Sequence, residues 1–236
     1  MGRRLTRKQI KQDEFITLMD RVVGWLSANF RQASLGLGGA LLVGLAWWAF
    51  TALMGSRTVA ATKALDEAVA ILQAPVGAEA PADAKVKFAT QSERQEAAAK
   101  ALAKVRSYWF TPQARMARVL QARLAAERGD VDGAIRELSA VASHRNPDAA
   151  VRLATLDLIH LRLAKGDVAG VIQDLQAMAA GKDKRLPRDQ AMFELAAAYE
   201  RAGKGSEAQK VLRQLVENFP DSPWQREAQQ KLAASS

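Results

Sequence analysis

The pattern of apolar and polar positions divides the chain into one continuous apolar segment and a long remainder with helical periodicity. No charged side chain occurs between Arg31 and Arg57, and the centre of this segment, from Leu35 to Met54, is strongly apolar. A helix rises about 1.5 Å per residue, so a segment of this length covers the roughly 30 Å of a bilayer's hydrocarbon core. The sequence therefore predicts one transmembrane helix over residues 32–56.

The segment before this predicted span is basic and amphipathic. Residues 1–31 carry seven Lys and Arg against three Asp and Glu. Lys and Arg close to a span remain on the cytoplasmic side, so we expect a cytoplasmic arm and an exported C-terminal domain, which in a bacterium is periplasmic. Apolar residues recur in the arm at the spacing of a helix that lies at the membrane interface or docks on a partner: Phe15, Met19, Val22, Leu26 and Phe30.

A cleaved signal peptide is the alternative interpretation of the apolar segment. The basic arm before the apolar segment is longer than the basic region that begins a signal peptide. Trp47, Trp48 and Phe50 also stand where a cleavable segment prefers small residues. The pattern therefore favours a retained anchor. Three small residues share one face of this helix at four-residue spacing and could pack against another membrane helix, which would make the protein a homo-oligomer: Gly36, Ala40 and Gly44.

The chain after the span predicts an all-α domain. Strong helix formers dominate it, and alternating strand patterns do not occur. Residues 57–110 predict two long helices with a break at 74–83, where Pro75, Gly77 and Pro81 interrupt the pattern. The second of these helices is expected from Lys85 to Trp109. We expect residues 108–110 to form core between that helix and the following segment, with a plug of the later groove as the alternative.

Residues 111–236 contain an internal repeat. Gly129, Gly166 and Gly203 are 37 residues apart, and each is followed by a small or β-branched residue after five positions and by leucine after nine. The glycine permits a tight turn, and the small residue lets the second helix of a hairpin approach the first. The pattern predicts three helix hairpins and a capping helix from Pro223 to Leu232. Thr111 and Asn146, each followed by proline, are predicted helix N-caps.

The third of these hairpins resembles the tetratricopeptide repeat. Seven of its residues stand at that motif's spacing: Leu195, Ala196, Tyr199, Gly203, Ala208, Leu212 and Pro220. The first two hairpins depart from the motif at the tyrosine position, where Ala125 and Arg162 stand, and their period is longer than the usual one. The resemblance implies an α-solenoid of degenerate repeats.

The arrangement of the whole chain resembles a bacterial family, the YfgM-like ancillary subunits of the SecYEG translocon. It combines a basic arm containing RKQIKQDEF, an amphipathic helix, one span and degenerate repeats beyond it. The resemblance implies a single-pass inner-membrane protein that acts as a scaffold or chaperone adaptor. Its implied partners are translocon subunits, periplasmic chaperones or exported polypeptides.

The repeat register also implies which residues face the inner surface of the solenoid. Such a surface, with its apolar side chains, could hold an extended or helical peptide. The alternative is that helices between residues 60 and 109 cover these side chains. The nine predicted groove residues are Met116, Val119, Arg123, Leu153, Leu156, His160, Gln190, Phe193 and Ala197.

The candidate chemistry is sparse, so we expect neither an enzyme nor a cofactor. The chain has no cysteine, and its two histidines, His144 and His160, have no partners at metal-ligand spacing. Motifs of phosphate binding, zinc hydrolysis or serine nucleophiles do not occur. The net charge is +9, but basic and acidic side chains are mixed along the chain and form no dense basic patch. We therefore expect no nucleic-acid binding.

Overall fold

The structure, a computed structural model, describes residues 21, 24–25, 27–77 and 86–234. Apart from one isolated bridge between Val76 and Phe88, the regular structure of these residues is helical, which confirms the predicted all-α class. Most of the predicted amphipathic helix of the arm lies outside the described residues. The nine described helices are α1 (Phe30–Leu72), α2 (Gln91–Arg106), α3 (Pro112–Glu127), α4 (Val131–Ala142), α5 (Ala149–Ala164), α6 (Val168–Ala179), α7 (Arg188–Arg201), α8 (Gly205–Asn218) and α9 (Gln225–Ala234).

The chain divides into two compact units, Met1–Ser56 and Arg57–Ser236. In the first unit, α1 exposes a run of large apolar side chains that includes Leu42, Val43 and Trp48. Within the described residues, α1 is the one helix long and apolar enough to cross a membrane. The length and the apolar composition of α1 agree with the predicted membrane anchor.

In the second unit, three glycines make the turns that the repeat predicts. Gly129, Gly166 and Gly203 have φ values of +91°, +88° and +71°, a backbone region that favours glycine. The next helix begins two residues after each glycine. In the first two hairpins this helix is capped by Asp130 or Asp167, whose carboxylate accepts the N–H of Gly133 or Gly170 at 2.8 Å and 3.1 Å.

Each hairpin is closed by three buried residues on its second helix. They follow one another at intervals of four and three residues, and none is more than 2% exposed. This spacing places them on one helical face, toward the preceding helix. Three buried residues at the same spacing also occur on α2. The glycine spacing did not identify α2 as the second helix of a hairpin. The four triplets are Ala98, Leu102 and Val105; Ala134, Leu138 and Val141; Val171, Leu175 and Met178; and Ala208, Leu212 and Leu215.

The end of α1 runs antiparallel to α2 and packs beside α3. Ala64 and Ala68 share a hydrophobic cluster with Leu102 of α2 and Leu124 of α3. Three polar contacts fix the direction of α1 against α2 and α3. Gln113 donates to the Thr62 hydroxyl at 2.9 Å, Lys104 lies 3.5 Å from the Glu67 carboxylate, and Arg94 donates to the Ala74 carbonyl at 3.0 Å.

Several predicted boundaries are wrong by a few residues. Helix α2 begins at Gln91, where the Thr90 hydroxyl accepts the N–H of Glu93, and it ends at Arg106 rather than Trp109. Thr111 is an N-cap as predicted, but Asn146 is not. Asp148 caps α5 instead because its carboxylate accepts the N–H of Val151 at 3.0 Å. Helix α9 begins two residues later than predicted.

The segment after α2 also differs from expectation. Tyr108 packs against the cluster formed by α1, α2 and α3, as a core residue should. Trp109 and Phe110 are instead exposed. The positive φ of Phe110, +67°, accompanies an abrupt change of chain direction before α3.

Two nearby glycines allow a matched test of the turn. Gly203→Ala should lower the free energy of unfolding by about 1–2 kcal/mol, because a Cβ is strained at positive φ. Gly205→Ala, in the first turn of α8 with open space around its Cβ, should raise stability by about 0.4–1 kcal/mol. Urea unfolding followed by circular dichroism measures both. Equal effects of the two changes would contradict the turn assignment.

Candidate protein-binding surface

The first helices of the three predicted hairpins, α3, α5 and α7, carry the nine residues expected on the inner surface. We call these residues the inner row. Stacked helix hairpins generally present such a row on the concave side of the solenoid. The structure leaves two members exposed, Arg123 and His160, and buries two, Val119 and Phe193. The other five are half-buried: Met116, Leu153, Leu156, Gln190 and Ala197.

The apolar members of the inner row are largely used for packing. Val119 belongs to a hydrophobic cluster of α3, α4 and α5, against which Met116 and Leu153 also pack. Phe193 stacks on Trp224, which precedes α9, with ring centroids 4.9 Å apart. The accessible part of the row is therefore more polar than the sequence indicated.

Ion pairs join successive first helices along the inner row. Arg123 of α3 donates two hydrogen bonds to Asp157 of α5, at 2.6 Å and 2.9 Å. His160, one turn further along α5, has its Nε2 atom 3.6 Å from a carboxylate oxygen of Glu194 on α7, an ion-pair distance rather than a hydrogen bond. The line of paired side chains thus crosses three helices.

The two hydrogen-bond donors, Arg123 and His160, are more accessible than their carboxylate partners. The side chains of Arg123 and His160 are 42% and 61% exposed, whereas those of Asp157 and Glu194 are 18% and 15% exposed. Glu194 raises the pKa of His160; partial burial acts in the opposite direction, and Asp157 adds a smaller increase. A partner would therefore meet hydrogen-bond donors first, over carboxylates that hold those donors in place.

The helices before the repeats cover a different face of α3. Residues of α1 and α2 pack against Ala117, Leu120 and Leu124, and Thr62 receives a hydrogen bond from Gln113. Among the described residues, the hydrophobic clusters that contain inner-row members include no residue of α1 or α2. Those two helices thus extend the stack rather than fill the groove.

The small residues proposed for packing between membrane helices lie on α1. Ala40 and Gly44 are exposed, and a Cβ added to Gly44 would meet no atom within 4 Å. Self-association through these positions and Gly36 stays a prediction. Elsewhere in the described residues, no group of three or more His, Cys, Asp or Glu is placed to hold a metal ion.

Comparison with known proteins identifies the repeats. Residues 24–184 match the tetratricopeptide repeat-like domain, and residues 190–222 match the tetratricopeptide repeat. Crystal structures of nearly identical TPR-like repeats from a candidate kinesin light chain of Podosopora anserina, and of a variant of it, are similar at 22% identity. Their TM-scores are 0.46 and 0.47, and each alignment covers 61% of this chain and 79% or 78% of the other. Comparison with curated protein sequences gives no match.

The His160–Glu194 pair predicts a pH dependence of stability. The pKa of His160 is raised in the folded state, so its stabilising contribution is complete below the pKa of the unfolded chain and disappears as the pH rises through the folded value. The stability difference between wild type and His160→Gln should shrink from about pH 5 to about pH 8. Glu194→Gln should remove the same pH-dependent contribution of His160 to the free energy of unfolding. A difference that stays constant over this range would refute the pairing.

Proposed function

Because the chain belongs to the tetratricopeptide repeat-like domain family, we propose that it is a membrane-anchored scaffold that binds other proteins through its inner row. Repeats of this type generally mediate protein–protein interactions and have no catalytic step of their own. The line of paired side chains across α3, α5 and α7 is the observation that carries the proposal, because it presents accessible hydrogen-bond donors on the face that such repeats generally turn to their concave side.

The chemistry of the inner row fits an extended or helical peptide with acidic or carbonyl acceptors. Arg123 supplies a charged donor, His160 supplies an imidazole donor that is charged when protonated, and Gln190 supplies an amide in the third repeat. Between them, Leu153 and Leu156 keep part of their apolar surface accessible. A peptide that crosses the row could exchange the intramolecular ion pairs for intermolecular ones and cover this apolar surface.

The proposal assigns a place to each part of the chain. Residues 1–31 form a basic cytoplasmic arm and residues 32–56 the transmembrane helix. Residues 57–110 and the repeats of 111–236 lie on the periplasmic side of a bacterial inner membrane. The excess of Lys and Arg before the apolar segment supports this orientation.

A position beside the Sec translocon is the finer part of the proposal. It rests on the arrangement of arm, span and degenerate repeats, which resembles the YfgM-like ancillary subunits. The partners would then be translocon subunits, periplasmic chaperones or exported polypeptides, and the protein would act as a scaffold or chaperone adaptor. Structural assembly through self-association of α1 is the alternative.

Site-specific photocrosslinking in intact cells tests the binding surface. A photoreactive residue at His160 or Gln190 should form adducts with translocon, chaperone or exported proteins. The same residue at Lys210, which is exposed on the second helix α8, should form few. Absence of such partners at the inner row, or equal adducts at Lys210, would contradict the proposal.

A charge exchange separates binding from folding. Arg123→Asp combined with Asp157→Arg retains an ion pair between α3 and α5 but reverses its direction. Crosslinking at Gln190 should fall while the unfolding midpoint remains close to that of wild type. Unchanged crosslinking would show that these charges do not contribute to recognition.

A further inference from the structure

The corner between α2 and α3 exposes two adjacent aromatic side chains. Trp109 and Phe110 are 57% and 75% exposed, and their ring centroids are 4.6 Å apart. Phe110 has a φ of +67°, which is unusual for a bulky residue. Two exposed aromatic rings on a strained corner are typical of a surface that meets another apolar phase.

A contact within the second unit places this corner beside Arg57, the first residue of that unit. The Arg57 guanidinium lies 5.9 Å from the centroid of the Trp109 ring. Arg57 is the first charged residue after the uncharged run, so it should lie at the headgroup level of a membrane crossed by that run. The Arg94–Ala74 hydrogen bond joins the other end of α2 to the chain just after α1, whose last residue is about 22 Å beyond Arg57 at 1.5 Å per residue.

The connections α4–α5 and α6–α7 lie along the same edge of the repeat domain as the α2–α3 corner. A cavity of about 400 Å³ is lined by Trp109, Phe110, Arg115 and His144, and thus joins the α2–α3 corner to the α4–α5 corner. A second cavity, of about 520 Å³, is lined by residues of the α4–α5 and α6–α7 corners, among them Arg145 and Lys184. We call this series of three corners the corner edge.

The corner edge is cationic, whereas the opposite edge is not. Residues 106–111, 143–148 and 182–188 carry six Lys and Arg against two Asp. The glycine turns at the other edge, residues 128–132, 165–167 and 201–207, carry four Lys and Arg against four Asp and Glu. Some corner cations are paired, as Arg185 is with Asp183, but Arg145 and Lys184 are exposed.

We propose that the corner edge docks on the surface of an anionic bilayer. Trp109 and Phe110 enter the boundary between headgroups and acyl chains, where aromatic side chains concentrate. Arg145 and Lys184 approach lipid phosphates, and their attraction adds to the burial of the rings. This inference rests on the membrane attachment in the proposed function. It adds that the repeat domain lies against the membrane rather than hanging free from its anchor.

The absence of cysteine allows a direct test with the full chain. Ser107→Cys places a single fluorescent label beside the two rings without removing them, and Lys204→Cys places the same label at the opposite edge. Each chain is incorporated into nanodiscs of phosphatidylglycerol and phosphatidylcholine that contain a lipid with a nitroxide at headgroup depth. The label at position 107 should be quenched several-fold more strongly than the label at position 204.

Two further variants separate the contributions of the rings and the charges. In the Ser107→Cys chain, Trp109→Ala with Phe110→Ala should reduce the quenching. Arg145→Glu with Lys184→Glu should reduce it in anionic discs, as should salt at about 1 M, where the Debye length falls to about 3 Å. Quenching that is as strong in pure phosphatidylcholine would overturn the role given to anionic lipid.

The remaining outcomes distinguish this inference from the proposed function. A chain that enters nanodiscs but shows equal, weak quenching at positions 107 and 204 would overturn the docking and leave the anchor in place. A chain that does not enter nanodiscs would overturn both. Strong quenching at position 107 together with no crosslinked partner at the inner row would support the docking and count against the scaffold.

Discussion

The packing of three apolar side chains on each second helix is the interaction on which the rest of the structure depends. A small or β-branched residue, a leucine and a further apolar residue close each pair of helices, from Ala98 on α2 to Leu215 on α8. Close approach matters because side-chain contacts are lost rapidly as a gap opens. Arg123 reaches Asp157 only because α3 and α5 are both packed against α4, so the charged inner row follows from this apolar packing.

Local signals predicted most of the fold. A glycine at positive φ and a leucine at fixed distance from it are encoded within one hairpin, so Gly129 and Leu138 could be recognised from spacing alone. The pairing of α1 with α2 was missed because a long connection replaces the glycine turn. The spacing of Ala98 and Leu102, identical to that in the later hairpins, was the signal that could have identified it. The cap of α5 was misassigned because Asp148, after the proline, competes with Asn146.

The accessible surface could not be predicted in the same way, because it depends on contacts between distant parts of the chain. The register identified Phe193 as an inner-row residue, but Trp224 from the following segment covers it. Arg123 and His160 were placed in the row, whereas their partners lie one repeat further along the sequence. Trp109 is likewise exposed at a corner where Phe110 has a positive φ, and no residue propensity indicates that backbone conformation.

In the proposed function, an apolar helix tethers the protein to a bilayer and the repeats bind proteins on the other side of it. The proposed function requires that the repeat domain be exported, and C-terminal reporter fusions measure its location most directly. Fusion after Ser236 to alkaline phosphatase should give active enzyme, and fusion to green fluorescent protein should give dark cells. A fluorescent fusion with inactive phosphatase would place the repeats in the cytosol and contradict both the proposed location and the proposed partners.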